Sequence, residues 1–385
     1  MTKQVRIARL WDTDSPRVTR RSMLRSMAFF AVAAQGLAAC GIGEAPGGGP
    51  SGAPEPSKVK ASNAKDEKQL NFYNWTDYIA PDTLSGFEAD SGIKVTYDNF
   101  SSNDEMEAKI ASGGAGYDLV VPSDNFLRRF RRAGLLQPLD HDLIPNLGNL
   151  DKRFAEADYD PGNRFSAPWA WGTTGLAYSK KTLGTFTGFG AFDHPAIKGR
   201  SSILDEARDG MSLGLLALGH DPNTTDTAKI DEAVKYLLAL KKKIGQITSD
   251  VIQPLSSGQV VLAQVYSGDA FQARDDNADV AYAIPTEGGL SYVDLLCVPK
   301  NAPHAANAHR FIDYILRADV GAKLANAVRY GSPNAAAKPM IEKELLEDPL
   351  VYPSVEALAK LPFTKDLDRE VEARYADAWT KVKTG

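Results

Sequence analysis

Apolar and polar positions along residues 69–385 follow two alternating periods. Short apolar runs at 70–73, 93–97 and 117–122 read as strands. Between them, 81–90 and 103–112 carry apolar residues at helical spacing. Pro81 opens the first helix, Leu84 and Phe87 share one face, and Gly92 marks its stop. Glycines at 113, 114 and 116 stop the second and form a turn. This βαβαβ order predicts a mostly parallel sheet covered by helices. The pattern returns with strands at 202–204 and 260–266 and helices at 208–218, 231–241 and 305–316. Ala233, Val234, Leu237 and Leu238 line one face, and Ala308, Phe311, Ile312 and Ile315 another. Two such patterns with no linker between them predict an α/β protein of two lobes. Its ligand cleft is expected between the lobes, outside the carboxyl ends of strands.

One apolar run is of another kind. Residues 27–39 are apolar for 13 positions, too few to span a bilayer. The first 39 residues hold seven basic and two acidic side chains, net +5. A basic region, a short apolar region and small residues make an export signal over 1–39. Thr19-Arg20-Arg21-Ser22-Met23-Leu24-Arg25 resembles a twin-arginine signal. Leu37-Ala38-Ala39-Cys40 resembles a lipoprotein processing site, with Cys40 as the lipidated residue and the membrane anchor. Residues 41–68 hold six Gly and four Pro and no aromatic residue, so 40–68 reads as a flexible tether of about 30 Å. The body is then expected on the outer face of the cell membrane.

Composition narrows the chemistry. The 385 residues carry 44 Lys+Arg and 49 Asp+Glu, a net charge of −5. Without the signal the remainder carries −10, which argues against nucleic acid and for a cationic partner. Two cysteines and five scattered histidines offer no metal centre, and no cofactor is expected. Phosphate-loop, nucleotide-binding, nucleophile-elbow and zinc-helix motifs are missing, so an enzyme is not expected. His304 and His309 read as surface histidines. Cys297, within an apolar run, reads as an inert buried thiol.

The ends of the strands share one composition. Asn74-Trp75-Thr76-Asp77-Tyr78 follows the first, and Asp205-Glu206-Ala207-Arg208-Asp209 follows the strand at 202–204. Tyr266-Ser267-Gly268-Asp269 closes another, Tyr292 and Asp294 share one strand face, and Tyr330 ends a helix. Aromatic rings give methylenes an apolar wall and attract ammonium charge through their faces. Carboxylates accept the ammonium hydrogen bonds and offset desolvation of the cation. The combination suits an alkyl polyammonium ligand. Taken singly, each residue has an ordinary explanation, such as Asp205 capping the helix that starts near Ala207.

Order and spacing then point to a family. Phe72-Tyr73-Asn74-Trp75-Thr76-Asp77-Tyr78-Ile79 and the segment 87–95 resemble the opening of the spermidine/putrescine-binding proteins of bacterial ABC importers. The segment 117–123, the run Trp169-Ala170-Trp171-Gly172-Thr173-Thr174-Gly175-Leu176-Ala177-Tyr178, and Ser332-Pro333-Asn334 continue the resemblance in the same order. It implies a two-lobed, type II-like periplasmic-binding-protein fold, with 69–173 plus 293–341 as one lobe and 174–292 plus 342–385 as the other. It also implies a monomer that closes on a polyamine and delivers it to permease subunits. The ligand contacts it implies are Trp75, Thr76, Asp77, Tyr78, Ser123, Asn125, Glu206, Arg208, Asp209, Tyr266, Tyr292, Asp294 and Tyr330.

The chain departs from the family's pattern at several of these positions. Glu206 stands for an Asp and Asp209 for a Glu, while Tyr266 and Tyr292 replace Trp, Asn125 replaces Tyr, and Phe363-Thr364 stands near a Trp-Gln pair. These changes leave the length of the ligand open. Two other readings stay open here: another cationic amine or a basic amino acid, gripped through Arg208, and a surface lipoprotein enzyme using Asp269, Ser267 and Tyr266.

Overall fold

Strand β1 (Gln69–Trp75) begins the fold in a computed structural model that describes residues 68–113, 115–186, 188–358 and 361–385. The expected signal, Cys40 and nearly all of the tether lie outside these residues. Eight strands follow among the described residues: β2 (Lys94–Phe100), β3 (Leu119–Val120), β4 (Ser166–Ser179), β5 (Ser201–Ile203), β6 (Gln246–Ile247), β7 (Leu262–Tyr266), β8 (Val280–Ala283) and β9 (Leu290–Cys297). They are hydrogen-bonded in the order β2-β1-β3-β9-β4-β7-β5-β6, and β8 pairs with β4.

The sheet is mixed rather than mostly parallel. β1 pairs parallel with β2 and β3, and β5 with β6 and β7. β4 and β9, which join the two ends, pair antiparallel with each other and with their neighbours. Helical crossovers produce the parallel ends. The centre is antiparallel because β9 runs opposite to β4 along Ser166–Thr174, and β7 and β8 run opposite to its far end.

Local signals place the helices. Thr83–Ser91 ends where Gly92 takes φ 71° and its N–H reaches the Glu88 carbonyl. Asn103–Ala111 opens on Ser102, whose hydroxyl accepts the Glu105 N–H. Ala207–Ala217 starts where expected, but Asp205 does not cap it. Its carboxylate instead takes the Trp379 indole N–H at 3.1 Å and the Lys383 ammonium at 2.8 Å. Ala318–Val328 and Arg369–Thr384 are further helices, which the apolar pattern alone did not separate from their surroundings.

Two pairs of cores result. Phe72, Phe87 and Phe311 pack on one side of the first lobe, with Phe100, Met106 and Phe130 on the other. Met211, Leu237 and Trp379 pack in the second lobe, with Val265, Phe271 and Tyr282 behind them. All 14 residues of β4 are buried, and it gives Trp169 and Trp171 to the first lobe and Leu176, Ala177 and Tyr178 to the second. β4 thus contributes side chains to all four cores.

His309 corrects an expectation: it is fully buried. Its Nε2 accepts the Asp140 N–H at 3.0 Å and its Nδ1 faces the Ala305 carbonyl at 2.7 Å. Burial lowers its pKa, which keeps the ring neutral and suited to one donor and one acceptor bond. His304 pairs through Nδ1 with the buried Asp118 at 3.0 Å, so both histidines serve the fold. Cys297 is buried, and that burial pushes its thiol pKa well up.

Candidate functional site

A cleft opens between the lobes, where β1, β5, β7 and β9 end or cross. Eleven of the thirteen predicted contacts line it: Trp75, Thr76, Tyr78, Ser123, Asn125, Glu206, Asp209, Tyr266, Tyr292, Asp294 and Tyr330. Asp77 and Arg208 do not.

The first lobe contributes Asp294 at the floor. It is 5% exposed, and β9 alternation turns it and Tyr292 to the same face. Its two oxygens accept from Tyr78 Oη at 2.8 Å and Ser123 Oγ at 2.7 Å. Burial pushes its pKa up to about 7, against the pull of these two hydroxyls. Trp75 is fixed by its indole N–H to the Val121 carbonyl at 2.9 Å.

The second lobe contributes Asp209, which accepts Thr174 Oγ1 at 3.1 Å and, more weakly, Tyr266 Oη at 3.4 Å. Burial raises it to about 6. Glu206 accepts the backbone N–H of Asn103 at 2.6 Å, and burial holds its carboxyl well above the usual range. Asp269 accepts Tyr330 Oη at 2.6 Å and is raised by burial to about 7.

The rings form a continuous wall. Tyr266 meets Tyr292 at 5.0 Å, Tyr292 meets Tyr330 at 6.3 Å, and Tyr330 meets Tyr78 at 4.9 Å, each edge to face. Two glycines make room for it. A Cβ on Gly172 would lie 2.6 Å from Tyr292 Oη, and one on Gly268 would lie 2.2 Å from the Tyr330 ring.

Electrostatically the cleft is one-sided. Asp124, Glu206, Asp209, Asp250, Asp269 and Asp294 line it, and among its described lining residues there is no Lys, Arg or His. No group of described His, Cys, Asp and Glu residues has the arrangement of a metal site.

Both residues outside the lining have clear local roles. Asp77 is exposed in the left-handed region, φ 53°, a conformation Asp tolerates. Its charge still raises the Asp269 pKa from beside the mouth. Arg208 is buried and turned away. It binds Glu372 at 2.7 Å and Asn223 at 2.8 Å and stacks 4.5 Å from the Tyr375 ring. This clamps the C-terminal helix to the start of Ala207–Ala217. Helix periodicity holds the signal for it: Arg208 lies on the face of Met211 and Leu215, away from Asp209.

Sequence reasoning left Asn103, Asp124 and Asp250 out of the lining, noted Thr364 only as standing near the family's Trp-Gln pair, and named Asp269 as a strand-end acid and in the enzyme alternative. Asp269 carried the same signal as its neighbours, a carboxylate three residues beyond a strand-end Tyr. Asn103 carried none, since it enters through tertiary folding.

Two lobes meeting at a cleft lined from both sides define a solute-binding protein. The chain belongs to the bacterial extracellular solute-binding protein family, whose model matches residues 83–352. It is similar to the putrescine-binding periplasmic protein PotF of Escherichia coli, 37% identical over 84% of this chain and 93% of that one. Among solved structures it resembles a Listeria monocytogenes protein assigned to spermidine/putrescine ABC transport, at 33% identity and TM-score 0.79, over 83% of this chain and 99% of that one. It also resembles the TpPotD lipoprotein of Treponema pallidum, at 28% identity and TM-score 0.71, over 82% of this chain and 99% of that one.

Proposed function

We propose that the protein captures a polyamine of the putrescine/spermidine class and delivers it to the permease subunits of an ABC importer. The observation that carries this reading is the cleft's composition: six carboxyl groups, a wall of tyrosine rings and no basic side chain. A diammonium chain fits each part. Its amines bond Asp294, Asp269 and Asp209, and its methylenes lie along Tyr266, Tyr292 and Tyr330. The names of the relatives support the same ligand class.

In this reading the lobes comprise 69–173 plus 293–341 and 174–292 plus 342–385, and they close about the β4 and β9 crossings. Cys40 carries the lipid that holds the body outside the membrane, a reading supported by a structural neighbour named as a lipoprotein. No helix among the described residues is long and apolar enough to cross a membrane. The body acts as a monomer. Arg208 is engaged by Glu372 and Asn223, which removes the motive for a basic amino acid as ligand.

Titration calorimetry against putrescine, spermidine, lysine and arginine tests this. Saturable binding of a polyamine and none of the amino acids is expected. An absence of heat with both polyamines at millimolar concentration overturns it.

A further inference from the structure

Glu206 lines the cleft, yet its carboxylate is committed elsewhere. Oε1 accepts the Asn103 backbone N–H at 2.6 Å. Asn103 is the first residue of helix Asn103–Ala111, which packs Met106 and Ile110 into the first lobe's core. Glu206 precedes helix Ala207–Ala217, which packs Met211 and Leu215 into the second lobe's core. The bond therefore joins the lobes.

Its chemistry suits that task. The first amides of a helix lack partners within the helix and carry partial positive charge. Ser102 satisfies the Glu105 amide, and the Asn103 amide is met from the opposite lobe. The side chain of Asn103 extends the link. Its Oδ1 accepts the Ser123 N–H at 3.2 Å and its Nδ2 donates to Ser123 Oγ at 3.2 Å. Ser123 Oγ then donates to Asp294 at 2.7 Å. One hydrogen-bonded chain thus runs from the carboxylate at the floor to the contact between lobes. On the same flank, Arg132 of the first lobe pairs with Asp366 of the second at 2.7 Å.

We infer that Glu206 is a positioning residue: it latches the closed lobes through the helix amide of Asn103 and does not bind the ligand's ammonium. The inference rests on the polyamine reading only for the choice of ligand. A glutamate outreaches an aspartate by one methylene, which is what spans the gap between lobes.

Dissociation rates of putrescine and spermidine, measured by stopped-flow tyrosine and tryptophan fluorescence, test the latch in Glu206→Ala and Glu206→Gln. Ala removes the acceptor and is expected to speed release of both amines by about the same factor, roughly tenfold. Gln keeps a carbonyl oxygen for the Asn103 amide and is expected to stay within about threefold of the parent. Gln as damaging as Ala, or a loss confined to spermidine, would show Glu206 in contact with an ammonium and overturn the inference. Hydrogen exchange of the Asn103 amide gives a readout independent of polyamine binding. Faster exchange in Ala than in the parent supports the latch, and equal exchange overturns it. Should the parent bind no polyamine, the functional reading fails while the exchange comparison still decides the latch.

Discussion

Carboxylates inside the cleft and carboxylates on the outer surface differ only in their surroundings. Asp151 lies beside Lys338 at 2.8 Å, and that hydrogen bond holds its pKa below the usual range. Asp319 is lowered too: burial pulls it up, but the bond to Arg317, the charge of Arg317 and backbone amides together outweigh that. Asp209, Asp269 and Asp294 have hydroxyls as partners, no cation, and pKa values pushed up by burial. Outside, a carboxylate is already matched. Inside, the fold has removed water and left the countercharge to be supplied. In the proposed function, the contrast marks the acids that meet the ligand's ammonium groups.

The sharpest way to break the contrast is to remove its central member. Asp294→Ala is expected to weaken polyamine affinity about a hundredfold, because a desolvated ammonium loses its partner. Calorimetry reads this directly. Asp294→Asn, with Tyr78 and Ser123 still beside it, is expected to lose comparable affinity and to melt higher without ligand at pH 8, where the native carboxylate is charged and unpaired.

Proton linkage gives a smaller effect of defined sign. The folded-state pKa of these acids lies above the unfolded value, so the folded protein binds more protons between about pH 4 and 7. Ligand-free stability therefore falls as pH rises through that window. A cationic ligand favours the charged carboxylates, so affinity rises from pH 5 and levels off above about 7. Melting curves with and without spermidine across this range test both signs, and parallel curves would contradict them. Asp151→Asn supplies the smallest effect. It is expected to leave affinity unchanged and to shift melting by under about 3 °C, as for a solvent-exposed ion pair.

Much of this site was legible because strand ends are local. Trp75, Tyr78, Asp209, Tyr266 and Asp294 each follow or sit on a short apolar run, and alternation alone turns Tyr292 and Asp294 the same way. What escaped was set by tertiary partners. Arg208 follows Glu206 by two residues, yet the helix turns it to Glu372 and Tyr375. His309 looked exposed in sequence because its buried acceptor role depends on the distant Asp140 amide. The mixed sheet escaped for a related reason: β4 is buried throughout and shows no polar–apolar alternation, so periodicity gave neither its length nor the direction of its partner.

That strand also sets the timing of folding. β4 ends at Ser179, and its main partner β9 begins at Leu290. During synthesis at about 5–20 residues per second, the interval between them is on the order of 10 s. For that time the longest strand lacks its neighbour, and neither lobe has its complete sheet. A chain cut between them would not yield two independent halves. The nascent protein must instead remain unassembled until its last third is made, a window in which a chaperone or an export motor can still engage an extended chain.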